Sequence, residues 1–260
     1  MLSIQRHTEI LAILARESVA TVRALAQQLG VAESTIRRDL DILEEQGQLK
    51  RTYGGAMTLN AAPTEFPTLA CPELQREVSH ADNKERIGRA AATLVKDNEA
   101  IFLDSGTTTA CIVPHILDRK GLTVVTCDLN IAVCLSQNEA ISTIVIGGEL
   151  HIPTLSFTGS LAQKSMELFD LRFSKAFIGA RGVAAAYGIT NRVGERIPVK
   201  QLAIQRAREV IVVADGSKIG VLAPSQVAPI TAMHHLVTDS SAATAECAAI
   251  AGMGVDVIVV

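Results

Sequence analysis

From residue 100 onward the chain repeats one pattern: a short unbroken apolar run, a polar or glycine-bearing corner, then a stretch with helical spacing. The runs lie at 100–103, 122–126, 143–146, 175–178, 210–214, 236–238 and 255–260. A strand that alternates apolar and polar residues has one wet face; a strand apolar throughout is covered on both. Parallel neighbours also need a crossover between them, which the intervening helices supply. The expected fold class of this part is therefore an open α/β domain with a largely parallel sheet.

The first sixty residues read differently. Ile4, Ile10, Leu11, Ile13 and Leu14 set a first helix. Thr21 is the expected N-cap of a second over 22–29, ended by Gly30. A third is expected over about 34–45, ended by Gly47, followed by two short strands around a Gly54-Gly55 turn. Pro63, Pro67 and Pro72 then make residues 60–72 a stiff linker. The expected organisation is a helical unit with a hairpin at 1–59, this linker, and the α/β domain at 73–260, opening with a helix over 74–95.

Several classes are disfavoured early. Five cysteines are scattered without a CxxC pair, which argues against zinc and fits reduced thiols in the cytoplasm. Six histidines show no metal spacing, and they read as surface or packing residues. Residues 1–18 hold Arg6 and Glu9 and no apolar signal core, and no apolar run reaches 18 residues, so no membrane partner is expected. Cys111, Cys127 and Cys134 read as small apolar fillers. The net charge of −3 neither favours nor excludes nucleic acid.

What matters is where the charges sit. On the third helix Ile36, Leu40 and Leu43 recur at i, i+4 and i+7 and must face inward. Ser34, Thr35 and Arg38 then point outward, with Arg37 on the flank. Hydroxyls and guanidinium groups at the start of an exposed helix suit a DNA major groove, where Arg pairs bidentately with guanine. Lys50 and Arg51, at the hairpin base, suit phosphate contacts. The competing interpretation is a helical docking module with a solvated charged face.

In the larger part, AIFLDSGTTTACIVPHIL (residues 100–117) runs a buried strand into Asp104, Ser105, Gly106, Thr107, Thr108 and Thr109 and then into a helix. Amides at a helix start attract an anion, glycine permits close approach, and the hydroxyls add donors without charge. A phosphate is the natural guest; a plain Ser/Thr capping turn is the alternative. Other strand ends carry Asp128, Gly147 and Gly148, Arg181 and Lys218. In open α/β sheets ligands lie outside the carboxyl ends of the strands, so these loops are expected to share one crevice.

Both parts resemble the DeoR-type (DeoR/GlpR) family of transcriptional regulators. The head matches in RHTEIL and VAESTIRRDLDILEEQGQLKRTYGGAM; the larger part matches in FLDSGTTT, LTVVT, IGGEL, FTG, KAFIGARG and ADGSKIG. The resemblance implies an N-terminal winged helix-turn-helix and an effector domain similar to the ribose-5-phosphate isomerase fold. It implies double-stranded operator DNA and a phosphorylated sugar or similar anion as partners, a repressor of carbohydrate metabolism acting as homodimer or homotetramer, and no cofactor. Ser105 to Thr109 would anchor the phosphate and Lys218 would be a second contact. The sequence departs from the family at Ala32, where a capping serine is usual, and at Arg181, where an acidic residue is usual. It departs also at Cys127, usually Asn, at Gly216, often Ser, and in the loop 189–201, which keeps Glu195 and Lys200. Arg181 would favour a second negative group on the effector; otherwise it pairs internally with Glu195.

A sugar-phosphate isomerase is the rival from another class. It needs a positioned carboxylate base, for which Asp104 and Glu195 are candidates. A DNA-reading head has no purpose on such an enzyme, so a regulator and not an enzyme is expected. An interaction module without a ligand is the third possibility, disfavoured by the glycine and threonine loops.

Overall fold

The computed structural model describes residues 3–17, 19–52, 55–58, 80–168, 170–192, 194 and 197–260. The expected linker and the first part of the expected helix at 74–95 lie outside them. The chain divides into two compact units, Met1–Ala70 and Cys71–Val260.

In the first unit, helices α1 (Ser3–Glu17), α2 (Val22–Leu29) and α3 (Glu33–Glu45) pack on a small sheet. That sheet has strands β1 (Val19–Thr21), β2 (Leu49–Thr52) and β3 (Gly55–Thr58), antiparallel in the order β1-β3-β2. Thr21 caps α2 as expected, its side chain accepting from the Ala24 amide at 3.1 Å. Gly30 ends α2 at φ 64°, where glycine carries no steric penalty. Ile36, Leu40 and Leu43 are buried against Ile10, Leu14 and Leu25, so the inward stripe of α3 stands. Gly54 lies outside the described residues, while Gly55 opens β3, pairing with Thr21 and Thr52. A Cβ there would lie 1.9 Å from the Ala20 carbonyl oxygen, so the strands can meet only at glycine.

The second unit is built on a seven-stranded sheet in which every paired neighbour is parallel. Its strands are β4 (Ala100–Leu103), β5 (Thr123–Thr126), β6 (Ser142–Val145), β9 (Phe173–Gly179), β12 (Ala207–Val213), β14 (His235–Thr238) and β15 (Asp256–Val259). These are the seven apolar runs. Side chains alternate between two cores although the runs are apolar throughout. Phe102, Val210 and Val212 go to one face; Ile101, Leu103, Ile211 and Val213 go to the other. Burying each such side chain contributes roughly 1.5–3 kcal/mol. Helix α4 (Ala81–Ala92) covers the second face through Ile87 and Ala91.

The spatial order is β15-β14-β12-β9-β4-β5-β6. The chain lays β4, β5 and β6 outward in one direction, then starts again at β9 and builds outward in the other. The reversal falls between β4 and β9, so the loops after these two strands part and leave a crevice at their carboxyl ends. Two minor sheets flank the main one: the antiparallel pair β7 (Glu149–His151) and β8 (Ser156–Thr158), and β10 (Gly182–Ala184), β11 (Gly188–Asn191) and β13 (Ser225–Ala228).

Candidate functional site

On α3 the polar residues fall where helical spacing puts them. Ser34, Arg37 and Arg38 are exposed and Thr35 is half-buried. Arg37 pairs with Glu33 one turn away at 3.1 Å, while Arg38 is turned to solvent. Ala32 stands at the N-cap and makes no side-chain bond. Lys50 and Arg51 lie in β2, and their side chains are outside the described ones.

The head also holds a buried ionic group that helical spacing alone does not reveal. Asp39 on α3 is 3% exposed. It receives both Nε and a terminal nitrogen of Arg6, the latter at 2.9 Å, and lies 3.0 Å from Nε2 of His7. Burial pushes the Asp39 carboxyl up, but the hydrogen bonds and charges of Arg6 and His7 outweigh it and hold it below the usual carboxylate range. The clamp fixes α3 to α1, so the outward face of α3 is held by a bidentate pair as well as by its apolar stripe.

In the second unit a cavity of about 160 Å³ opens at the reversal between β4 and β9. Ser105 to Thr109 form one wall, Gly179 to Arg181 the next, and Asp215 with Lys218 a third. These follow β4, β9 and β12, three adjacent strands. Gly106 takes φ 141°, a conformation that side chains rarely adopt, and turns the chain from β4 into the short helix Thr107–Ala110. A Cβ at that position would meet only Thr109 Oγ1 at 3.7 Å, so the backbone angle and not crowding requires glycine.

Three further lining residues arrive from elsewhere in the chain. Lys84 comes from α4 and is 5% exposed; Lys200 comes from the helix Ile197–Arg206 and is 3% exposed; Asn191 ends β11. His80, just ahead of α4, also lines the cavity. Lysine spaced along a helix ordinarily signals a solvated face, so nothing local in the sequence marks these two as buried. With Arg181 and Lys218 they bring four cationic side chains to one small crevice.

Several expected contacts are corrected by the geometry. Asp104 is 1% exposed and does not line the cavity. Its Oδ2 accepts from Lys200 Nζ and from the Gly179 amide at 2.9 Å, so the carboxylate is spent holding the wall. Asp128 caps the helix Leu129–Leu135 through Oδ1 and accepts the Gly106 amide at 3.2 Å through Oδ2. The Gly106 amide is thereby committed and is not a donor to a guest. Thr109 is fully buried and donates to the Gly106 carbonyl at 2.8 Å. Gly147 and Gly148 follow β6, two strands from β4, and lie off the cavity. Glu195 lies outside the described residues. Arg181 has no carboxylate within 4 Å among the described residues, and Glu195, its expected internal partner, is not one of them.

A common device runs along this edge. Asp128 after β5 grips the loop after β4, and Asp104 after β4 grips the loop after β9. Asp239 after β14 accepts the Gly216 amide of the loop after β12 at 2.7 Å. Burial pushes the Asp239 carboxyl up, but bonds from Ser241 and Gly216 hold it below its ordinary range. Cys127 sits between these groups. Desolvation and the nearby Asp104 and Asp128 push its thiol up to about 12, so it is a neutral filler.

Comparison with known proteins agrees with this architecture in both units. Residues 6–62 match a family described as DeoR-like helix-turn-helix domain, and residues 79–240 match one described as DeoR C terminal sensor domain. The HTH-type transcriptional regulator YulB of Bacillus subtilis is 34% identical over 240 residues, covering 92% of this chain and 90% of the relative. The lactose phosphotransferase system repressor of Lactococcus lactis is 32% identical over 216 residues, 82% of each chain. Ribose 5-phosphate isomerase A from Methanocaldococcus jannaschii aligns over 54% of this chain and 55% of that one at 22% identity and a TM-score of 0.40, a likeness too slight to bear on chemistry. Among the described residues no helix is long and apolar enough to cross a membrane.

Proposed function

The chain belongs to the DeoR family of transcriptional regulators, and from that premise we propose that it is a repressor that binds operator DNA through α3 and releases it when a phosphorylated sugar, or a similar anionic metabolite, fills the cavity at the sheet edge. The observation that carries the effector half is the convergence of Lys84, Arg181 and Lys218 with a hydroxyl-bearing turn at the reversal of the sheet. The hydroxyls of Ser105, Thr107 and Thr108 and the amides that open the short helix serve phosphate oxygens. Lys84 and Lys218 supply charge.

On α3, Arg38 and Ser34 meet base edges, and Thr35 and Arg37 flank them; Lys50 and Arg51 meet backbone phosphate. A homodimer or homotetramer presents two heads to paired half-sites, so affinity depends on head spacing. The effector acts only through its differential affinity for the two arrangements. That the effector releases DNA rather than recruits it follows the relative that is named a repressor.

The test uses the full chain and DNA from the region flanking its own gene. Phosphorylated sugars and their unphosphorylated parents are compared for thermal stabilisation and for DNA release. A phosphorylated ligand at a hundred times its Kd should stabilise the fold by about 2.7 kcal/mol and release the DNA, and its parent should do neither. If stabilisation is the same with and without the phosphate, the cavity is not a phosphate cradle.

A further inference from the structure

We propose that the effector carries two separate anionic groups, a phosphate and a second oxyanion, and that Arg181 reads the second. The inference rests on the phosphate-sensor reading above and narrows the ligand class of the same site. It follows from how three of the four cationic side chains around the cavity are placed, the fourth, Lys84, being buried in the wall. The Lys200 ammonium is buried against the Asp104 carboxylate, and it also donates to the Gly179 carbonyl at 2.9 Å. Its charge is cancelled before any guest arrives. Lys218 lies 4.0 Å from Asp215, whose Oδ1 is itself held by the Ser217 amide at 3.1 Å. Arg181 differs: no carboxylate lies within 4 Å of it among the described residues, yet it is only partly exposed.

Position separates Arg181 from the phosphate turn. The turn at Ser105–Thr109 follows β4, whereas Arg181 follows β9 and its amide is fixed to the Thr190 carbonyl of β11 at 3.0 Å. Neighbouring strands lie about 4.8 Å apart, so the backbones that carry the two anchors are separated by more than the span of one phosphate. A guanidinium is a planar fork that pairs bidentately with a carboxylate, sulfonate or phosphate. The ligand class is thus a phosphorylated sugar acid or a sugar bisphosphate, the shared chemistry being a second oxyanion beyond the phosphate.

The experiment measures affinity by thermal shift and calorimetry on the full chain with glucose 6-phosphate, 6-phosphogluconate and glucose 1,6-bisphosphate. The wild-type protein should prefer at least one two-anion ligand over glucose 6-phosphate by about tenfold or more, the range of one charged bidentate contact. The 6-phosphogluconate and bisphosphate arms separate a carboxylate from a phosphate as the second group. In Arg181→Ala that ratio should fall towards one, and in Arg181→Lys, which keeps the charge but loses the fork, it should fall part-way. Equal affinity for all three in the wild type overturns the proposal while leaving a phosphate sensor intact. A preference that survives in Arg181→Ala overturns it too, by assigning the second group to another cation. No binding of any phosphorylated ligand overturns the phosphate reading and this proposal together. The wild-type ratio needs no variant to fold.

Discussion

The two units handle charge in opposite ways. The head keeps its polar groups outside: Ser34, Arg37 and Arg38 project from α3 over an apolar core, and the buried carboxylate Asp39 serves to hold the helix. The sensor unit takes its chemistry inside. Lys84, Lys200, Asp104, Asp128, Asp215 and Asp239 are all buried at or near one edge of the sheet. The difference follows from the partners. A duplex is larger than the head and must be met on an open surface, whereas a small anion is held firmly only where water is excluded and charge interactions are strong. Buried charge has a thermodynamic consequence, because its removal leaves a partner uncompensated.

The sharpest way to break that contrast is Asp104→Ala. It strands the Lys200 ammonium in the wall of the cavity, and the second unit should lose about 3–5 kcal/mol in denaturant unfolding. A loss under about 1 kcal/mol would mean that the pair is solvated and the contrast is overstated. Replacing both partners with apolar residues of similar size should restore most of the stability while abolishing effector response.

Next comes Asp39→Ala, which should cost the head about 3 kcal/mol through the loss of Arg6 and His7 as partners. The sign with pH is fixed by the direction of the shift. The folded carboxyl titrates below its unfolded value near 4, so its contribution is full above that value. It is lost as the pH falls through the folded value. Circular dichroism of the isolated head from pH 5 downward should show an acid-unfolding slope that Asp39→Ala flattens; an unchanged slope would remove the clamp from the account.

A surface group should behave otherwise. Arg38→Ala should leave the folding free energy within about 0.5 kcal/mol and reduce discrimination between operator and random DNA by about 1–3 kcal/mol. Unchanged discrimination in fluorescence anisotropy rejects Arg38 as a base reader. The smallest effect is expected at Ala32→Ser, which restores a hydroxyl to the N-cap of α3 and should raise the melting temperature of the head by the equivalent of about 1 kcal/mol. No gain would show that the cap amides already have another partner.

The fold is more fully legible in the residues than the cavity is, for a physical reason. Unbroken apolar runs locate the seven strands, and Thr21 and Gly30 bound α2, because these signals are local. Ser105 to Thr109, Arg181 and Lys218 are also legible, since each follows a strand whose end can be read. Lys84 is not, and Lys200 is noted only through the family resemblance, not as a buried group. Their burial depends on which helix crosses which strand, and no spacing within either helix records it. Asp104 and Asp128 stand at strand ends like true ligand contacts, but their carboxylates turn sideways to the neighbouring loop. Gly147 and Gly148 miss the cavity because the lateral order of strands places β6 at the margin, and that order is absent from any single run.

The aspartates that clasp adjacent loops separate scaffold from vocabulary. Asp104, Asp128 and Asp239 hold main-chain amides, so the shape of the crevice is dictated without help from the side chains that meet the guest. With Arg181 and Lys218 meeting the guest as proposed, exchanging them one at a time should redirect the regulator to a different metabolite while the frame that presents them stays where it is.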